Sequence, residues 1–206
     1  LIVDALREAA ARGADLAATP ELALVGYLPR DLLLDPAFVA RSWEVLAALA
    51  RETADLPPAL VGLPEPNPSD EGRPLFNSAA LLRGGRIEQR FRKALLPTYD
   101  VFDEDRYFQP APQVAPLTFR GRRVGVTICE DIWTERYLPR PLYECDPLRS
   151  LVSREAEIIL NVSASPFNLR KPAERREMIS GLAGTYRRPI FYCNSVGGND
   201  QLVFDG

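Results

Sequence analysis

The chain has 206 residues, of which 46% are hydrophobic and 26% charged, and a formal net charge of -3. That is enough chain for one domain with a sizeable core, and the charge balance excludes a strongly basic surface for nucleic acid or an anionic membrane. There is no histidine, which excludes Ser-His-Asp and Cys-His catalysis and any histidine-bound metal.

The elements follow in chain order. Residues 1–12 read as a helix, because Leu1, Ile2, Ala5, Leu6, Ala9 and Ala10 share one face and Gly13 suits its end. Residues 14–19 read as a short strand that stops at Pro20-Glu21. A helix in first place needs a sheet to pack on, so the chain is expected to lack a first strand. Residues 26–35 read as a loop, with Asp35-Pro36 capping and starting a helix that runs to about Thr53. Residues 59–63 read as a strand and 64–74 as an exposed, proline-rich loop. Residues 76–82 and 86–91 form a hairpin about Gly84-Gly85, with Lys93 just beyond its end. Residues 98–112 have no period and carry aromatic and acidic side chains, which marks a functional irregular segment. A second hairpin, 117–120 with 123–128, ends at Cys129. A helix capped by Asp146-Pro147, a strand at 157–162, a helix at 172–186 and a strand at 189–194 come next. Residues 196–200 read as a glycine-rich turn, and 202–204 as the start of another strand. Strands alternating with helices and hairpins predict an α/β domain with a mixed sheet under helices. No run of about eighteen apolar residues exists, so no membrane helix is expected. No signal peptide is visible, and three cysteines at unrelated spacings make no disulfide framework; a reducing, cytoplasmic setting is expected.

Three polar residues stand at the ends of strands: Glu21, Lys93 and Cys129. Open α/β sheets bind ligands at that edge. Lys93 draws attention because, of 25 cationic residues, only Lys93 and Lys171 are lysines, and an amine does what an always-charged guanidinium does not. The three make a complete set for amide hydrolysis. Cys129 is the nucleophile. With histidine absent, a carboxylate must be its base, and Glu21 serves if burial raises its pKa. Lys93 favours the thiolate and a developing oxyanion, with a backbone N–H beside Cys129 as a second donor. Taken singly, Cys129 reads as a core cysteine, Glu21 as a helix-start carboxylate and Lys93 as a solvated strand end; their coincidence at one edge weighs against that.

Residues 19–33 (Thr19-Pro20-Glu21 through Gly26-Tyr27), 93–108 (Lys93 through Tyr99-Asp100-Val101-Phe102-Asp103-Glu104) and 128–133 (Ile128-Cys129-Glu130-Asp131-Ile132-Trp133) resemble the nitrilase, or carbon–nitrogen hydrolase, superfamily. Within it, these motifs, with 161–167 and 194–206, resemble the amidase domain of glutamine-dependent NAD(+) synthetases. The resemblance implies a nitrilase-like αββα sandwich with a Glu21–Lys93–Cys129 triad and an additional glutamate at Glu104. It implies substrate contacts at Tyr27, Tyr99, Glu130 and Ser165, with Trp133 on the pocket wall. It implies hydrolysis of L-glutamine through a thioester, with ammonia passed to a C-terminal ligase domain. The ligase signature, a Ser-Gly-Gly-x-Asp-Ser loop, is missing here, so residues 1–206 read as a truncated amidase part. No cofactor or metal is expected in this part; ATP and Mg belong to the ligase. L-glutamine, the ligase domain and a homo-oligomer are the expected partners. The alternatives are a freestanding amidase acting on another small amide, and a catalytically silent relative serving as an interaction module.

Overall fold

The computed structural model describes residues 1–112, 115–133, 137 and 140–206. Its elements are α1 (Ile2–Ala11), β1 (Ala17–Ala18), α2 (Pro36–Glu52), β2 (Ala59–Pro66), β3 (Leu75–Arg83), β4 (Arg86–Arg92), β5 (Leu117–Phe119), β6 (Arg122–Ile128), α3 (Pro147–Ser153), β7 (Ile158–Ser163), α4 (Lys171–Tyr186), β8 (Ile190–Asn194), β9 (Val196–Asn199) and β10 (Leu202–Asp205). Short 3-10 turns lie at Arg30–Leu34, Glu104–Arg106 and Cys129–Ile132.

Strand periodicity explains how these elements stack. Successive strand residues face opposite ways, so strands buried on both sides need two partners. In β2 and β3, Leu60, Ala79 and Leu81 face a second sheet, where they meet Val124, Val126 and Ile128 of β6 and Val162 of β7. The alternate residues Val61, Leu63, Ala80 and Leu82 face α2, meeting Leu46, Leu49 and Ala50, with Ile2 and Val3 of α1 alongside. The second sheet presents Ile159 outward to Leu148 and Leu151 of α3 and to Met178 and Leu182 of α4. The result is helix, sheet, sheet, helix. One sheet has the order β1-β2-β3-β4 and the other β5-β6-β7-β8, each mixing parallel and antiparallel pairs. Burying each large aliphatic residue in these layers stabilises the fold by about 1.5–3 kcal/mol. The αββα expectation therefore holds. Among the described residues, no helix is long and apolar enough to cross a membrane.

The two hairpins and the capped helices form as expected. Asp35 accepts a hydrogen bond from the Ala37 N–H at 2.8 Å, and Gly84 and Gly85 both have positive φ. Four expectations need correction. The strand of residues 14–19 is only Ala17–Ala18, paired in parallel with Ala59 and Leu60, because the chain then leaves the sheet to cross over Gly62. A Cβ on Gly62 would stand 2.4 Å from the Leu22 nitrogen and 2.5 Å from the Pro20 oxygen, so only glycine admits that crossing. β2 extends to Pro66 rather than ending at Leu63. With β1 already finished, no strand among the described residues pairs with that edge of β2, so it tolerates Pro64 and Pro66. The loop at 26–35 contains the 3-10 turn Arg30–Leu34. Val196–Asn199 is no turn: it pairs with β10, Asn199 against Leu202, since strand pairing uses backbone groups that glycine also has, and the reversal falls at Asp200 (φ 54).

Candidate active site

Lys93 and Cys129 follow directly on β4 and β6, and Glu21 stands three residues past the end of β1, which is what gathers them. Lys93 continues β4, with its N–H donated to the Asn77 carbonyl at 2.8 Å and its carbonyl taken by the Ala111 N–H at 2.9 Å. Glu21 is fixed by the crossing over Gly62 and precedes Leu22, which has φ 50. Cys129 follows β6 and has φ 44. Non-glycine residues in this left-handed region store about 1–3 kcal/mol each, and such strain collects where a side chain must be held in one place.

The centre of the site is the Lys93 ammonium, which is fully buried. It donates to Glu21 Oε1 at 2.7 Å and to both oxygens of Glu104 at 2.8 Å. The Asn77 side-chain amide donates to Glu21 Oε1 at 2.7 Å and to Glu104 Oε2 at 3.4 Å. The Ala164 N–H reaches Glu21 Oε2 at 3.1 Å, and the Tyr27 hydroxyl reaches Glu104 Oε1 at 3.1 Å. Two buried carboxylates thus share one cation. Burial works against the Lys93 charge, but Glu104 and Glu21 outweigh it and hold the ammonium well above the ordinary lysine range. For Glu104, burial pushes upward, Lys93 pulls back and the Glu21 charge adds to the rise, leaving it at about 7.

The Cys129 thiol is buried at the end of the inter-sheet core. Burial and the Glu21 charge push its pKa well up, Lys93 pulls it down, and Glu130 and Glu104 add to the rise. At rest it is a neutral thiol, so ionisation needs a base acting with the attack.

Asp131 ties the two halves of the site together. Its Oδ1 accepts the N–H groups of Ala94 and Leu95, both at 2.9 Å, and its Oδ2 accepts the Ile128 N–H at 2.9 Å. One carboxylate therefore joins the residues after Lys93 to the residue before Cys129. Asn161 of β7 supports the same turn, donating to Thr127 Oγ1 at 3.0 Å and to the Cys129 carbonyl at 3.4 Å.

Glu130 is buried and receives two phenols: Tyr99 at 2.8 and 3.0 Å to its two oxygens, and Tyr143 at 2.9 Å to Oε1. The Lys171 ammonium lies 4.0 Å from the Trp133 ring centre, a cation–π distance; its charge acts on Glu130 and on Cys129. Ser165 is buried, with its N–H donated to Asn194 Oδ1 at 2.8 Å and its carbonyl taken by Asn194 Nδ2 at 3.1 Å. It follows Ala164, which contacts Glu21.

All nine residues singled out in the sequence therefore lie at or beside this edge, in two groups. Glu21, Lys93, Glu104 and Tyr27 are hydrogen-bonded into one cluster, with Cys129 coupled to it by charge and Ser165 beside it through Ala164; Tyr99 and Glu130 form the other, with Trp133 next to it through Lys171. Tyr27 and Tyr99 both pack on Phe102, with ring centres at 6.5 and 5.7 Å, while the Tyr27 hydroxyl goes to Glu104 and the Tyr99 hydroxyl to Glu130. Four members were missed. Lys171 had a signal, its scarcity as a lysine. Asn77 had one too, as a lone amide in the apolar run of β3. Tyr143 carries no local signal, its partner being 13 residues away, and for Asp131 only the bond to Ile128 is local, while Ala94 and Leu95 are 37 and 36 residues away. Cavity size does not pick out this chemistry. A cleft of about 700 Å³ borders Asp131, Trp133, Tyr143 and Cys145 but none of Glu21, Lys93 or Cys129. A smaller cavity of about 160 Å³ backs onto Tyr27 and Glu104.

The carbon–nitrogen hydrolase family profile matches residues 1–206. The chain belongs to the carbon–nitrogen hydrolase family. A glutamine-dependent NAD(+) synthetase of Synechocystis sp. is 46% identical over 209 residues, covering all of this chain and 38% of that protein. One from Thermotoga maritima is 41% identical over 206 residues, covering 99% of this chain and 33% of that protein. This carbon–nitrogen hydrolase chain thus spans about a third of the length of the curated relatives it matches. Among solved structures, glutamine-dependent NAD+ synthetase from Acinetobacter baumannii in complex with ADP superposes with a TM-score of 0.87 at 34% identity, over 100% of this chain and 36% of that one. An amidase from Nesterenkonia sp. shares the fold, with a TM-score of 0.78 at 24% identity, over 100% of this chain and 72% of that one.

Proposed function

We propose that residues 1–206 are the glutamine-hydrolysing part of a glutamine-dependent NAD(+) synthetase, releasing ammonia from L-glutamine through a thioester on Cys129. The ammonia then serves amidation of deamido-NAD(+) by a ligase domain outside these residues. The observation that carries the chemistry is the buried Lys93 ammonium, 2.7 Å from Glu21 and 2.8 Å from Glu104, coupled by charge to the Cys129 thiol. The names of the relatives support the choice of glutamine and of the ligase partner.

Each step has an assigned group. Glu21 takes the proton from Cys129 as the sulfur attacks the amide carbon, which avoids a free thiolate in a buried, carboxylate-rich site. Lys93 stabilises the oxyanion of the tetrahedral adduct together with a backbone N–H beside Cys129. Collapse breaks the C–N bond, Glu21 returns its proton to the departing nitrogen, and ammonia leaves. Water then attacks the thioester, giving up a proton to Glu21; the C–S bond breaks and the sulfur recovers a proton as glutamate departs. Glu104, with both oxygens on the Lys93 ammonium, holds it oriented throughout. At the far end of the substrate, Glu130 receives the α-ammonium, and Lys171, held against Trp133, receives the α-carboxylate.

The test is ammonia release from L-glutamine by the full-length protein and by its Cys129→Ala variant. The reading expects release by the former and none by a correctly folded variant. Equal release by both overturns it.

A further inference from the structure

Glu130 differs from the other buried glutamates. Glu21 and Glu104 are ion-paired with Lys93, and Glu65 with Arg90 and Arg92. Glu130 is only 3% exposed, yet among the described residues it makes no ion pair. Lys93 and Lys171 act on it only at a distance. A buried carboxylate without a counter-charge is costly, and phenols offset that cost with dipoles while leaving the charge in place. The two phenols are distributed unevenly. Among the described residues, Oε1 accepts both Tyr99 and Tyr143, whereas Oε2 accepts only Tyr99, at 3.0 Å. The open acceptor position is therefore on Oε2, and Tyr143 is the group whose bond goes to Oε1 alone. Its ring packs against the core formed by α3 and α4, which anchors that hydroxyl independently of Tyr99, itself 38% exposed.

We propose that Tyr143 is a positioning residue that sets substrate preference: by fixing Oε1 of Glu130 it aims Oε2 at the α-ammonium of an amino-acid amide and so favours amides that carry an amino group over those that do not. The proposal rests on Glu130 being the ammonium site of the glutamine reading. Tyr143 itself touches neither substrate nor reacting atoms; it acts through Glu130.

The experiment compares L-glutamine with 5-amino-5-oxopentanoate, which is glutamine without its α-amino group, in the full-length protein. Wild type is expected to prefer glutamine by more than tenfold in kcat/KM. Tyr143→Phe, which keeps the ring, is expected to cut that preference about tenfold, or about 1.4 kcal/mol, with the loss in the KM for glutamine rather than in kcat. Tyr143→Met removes the hydroxyl with a different shape and must give the same fall. In a Glu130→Gln background, Tyr143→Phe must change the preference less than twofold. If wild type does not distinguish the two amides, the Glu130 reading fails, and this proposal with it. If wild type distinguishes them and both Tyr143 variants keep the full preference, the role of Tyr143 is overturned while the Glu130 reading stands.

Discussion

Asp131→Asn isolates the link between the two halves of the site. The carboxylate is 1% exposed and accepts three N–H groups, two on Oδ1 and one on Oδ2. Asparagine has a single acceptor oxygen. With its oxygen toward Ala94 and Leu95, its amide faces the Ile128 N–H, donor against donor; the flipped amide faces two such donors. Each buried N–H left without an acceptor costs about 1–3 kcal/mol, so the substitution is expected to destabilise the fold by about 2–4 kcal/mol, counting the lost bond and the clash. That is a large part of a typical stability of about 5–15 kcal/mol. Because Ala94 adjoins Lys93 and Ile128 adjoins Cys129, the remaining folded protein is expected to lose kcat as well. Denaturant unfolding gives the stability, through a midpoint shift at unchanged slope, and ammonia release gives kcat at a temperature where the variant is folded. A midpoint within about 0.5 kcal/mol of wild type, the usual range for an inconsequential substitution, would refute the reasoning.

Two further perturbations address the charged cluster. Lys93→Arg keeps the charge, but a planar guanidinium does not fit where a compact ammonium sits within 2.8 Å of three carboxylate oxygens; kcat for glutamine is expected to fall roughly a thousandfold, the upper range for losing one oxyanion donor, and near-normal kcat would remove Lys93 from the chemistry. Glu104→Gln tests the titration at about 7, against an ordinary 4.5. Between those values the native state holds a proton that the unfolded chain has released, so this group's contribution is complete below pH 4.5 and is lost as pH rises through 7. Unfolding across that window should favour the glutamine variant over wild type by a further amount of about 3 kcal/mol; a difference independent of pH would contradict the raised value.

The sequence made some of this legible and hid the rest for physical reasons. Period-two patterns and glycine hairpins are local, so β3 with β4 and β5 with β6 were readable, as were the capped starts of α2 and α3. Lys93 and Cys129 stand directly after β4 and β6, and Glu21 three residues after β1, so the strand patterns located all three. The early end of β1 was not readable, since it depends on the chain crossing Gly62, a contact some forty residues away. The pairing of Val196–Asn199 was masked by glycines, whose backbone pairs without the side chains that mark a strand. Tyr99 and Glu130 could be picked out singly, but not as a hydrogen-bonded pair, and Tyr143 not at all, because nothing in a sequence tells which phenol reaches which carboxylate.

The central claim is that Cys129 carries the acyl group. Mixing the full-length protein with L-glutamine, quenching in acid within the first turnovers and measuring intact and peptide masses tests it most directly. The account predicts a γ-glutamyl adduct on the peptide containing Cys129 and none in the Cys129→Ala variant. Steady ammonia release from glutamine by that variant, with no adduct on wild type, would contradict it.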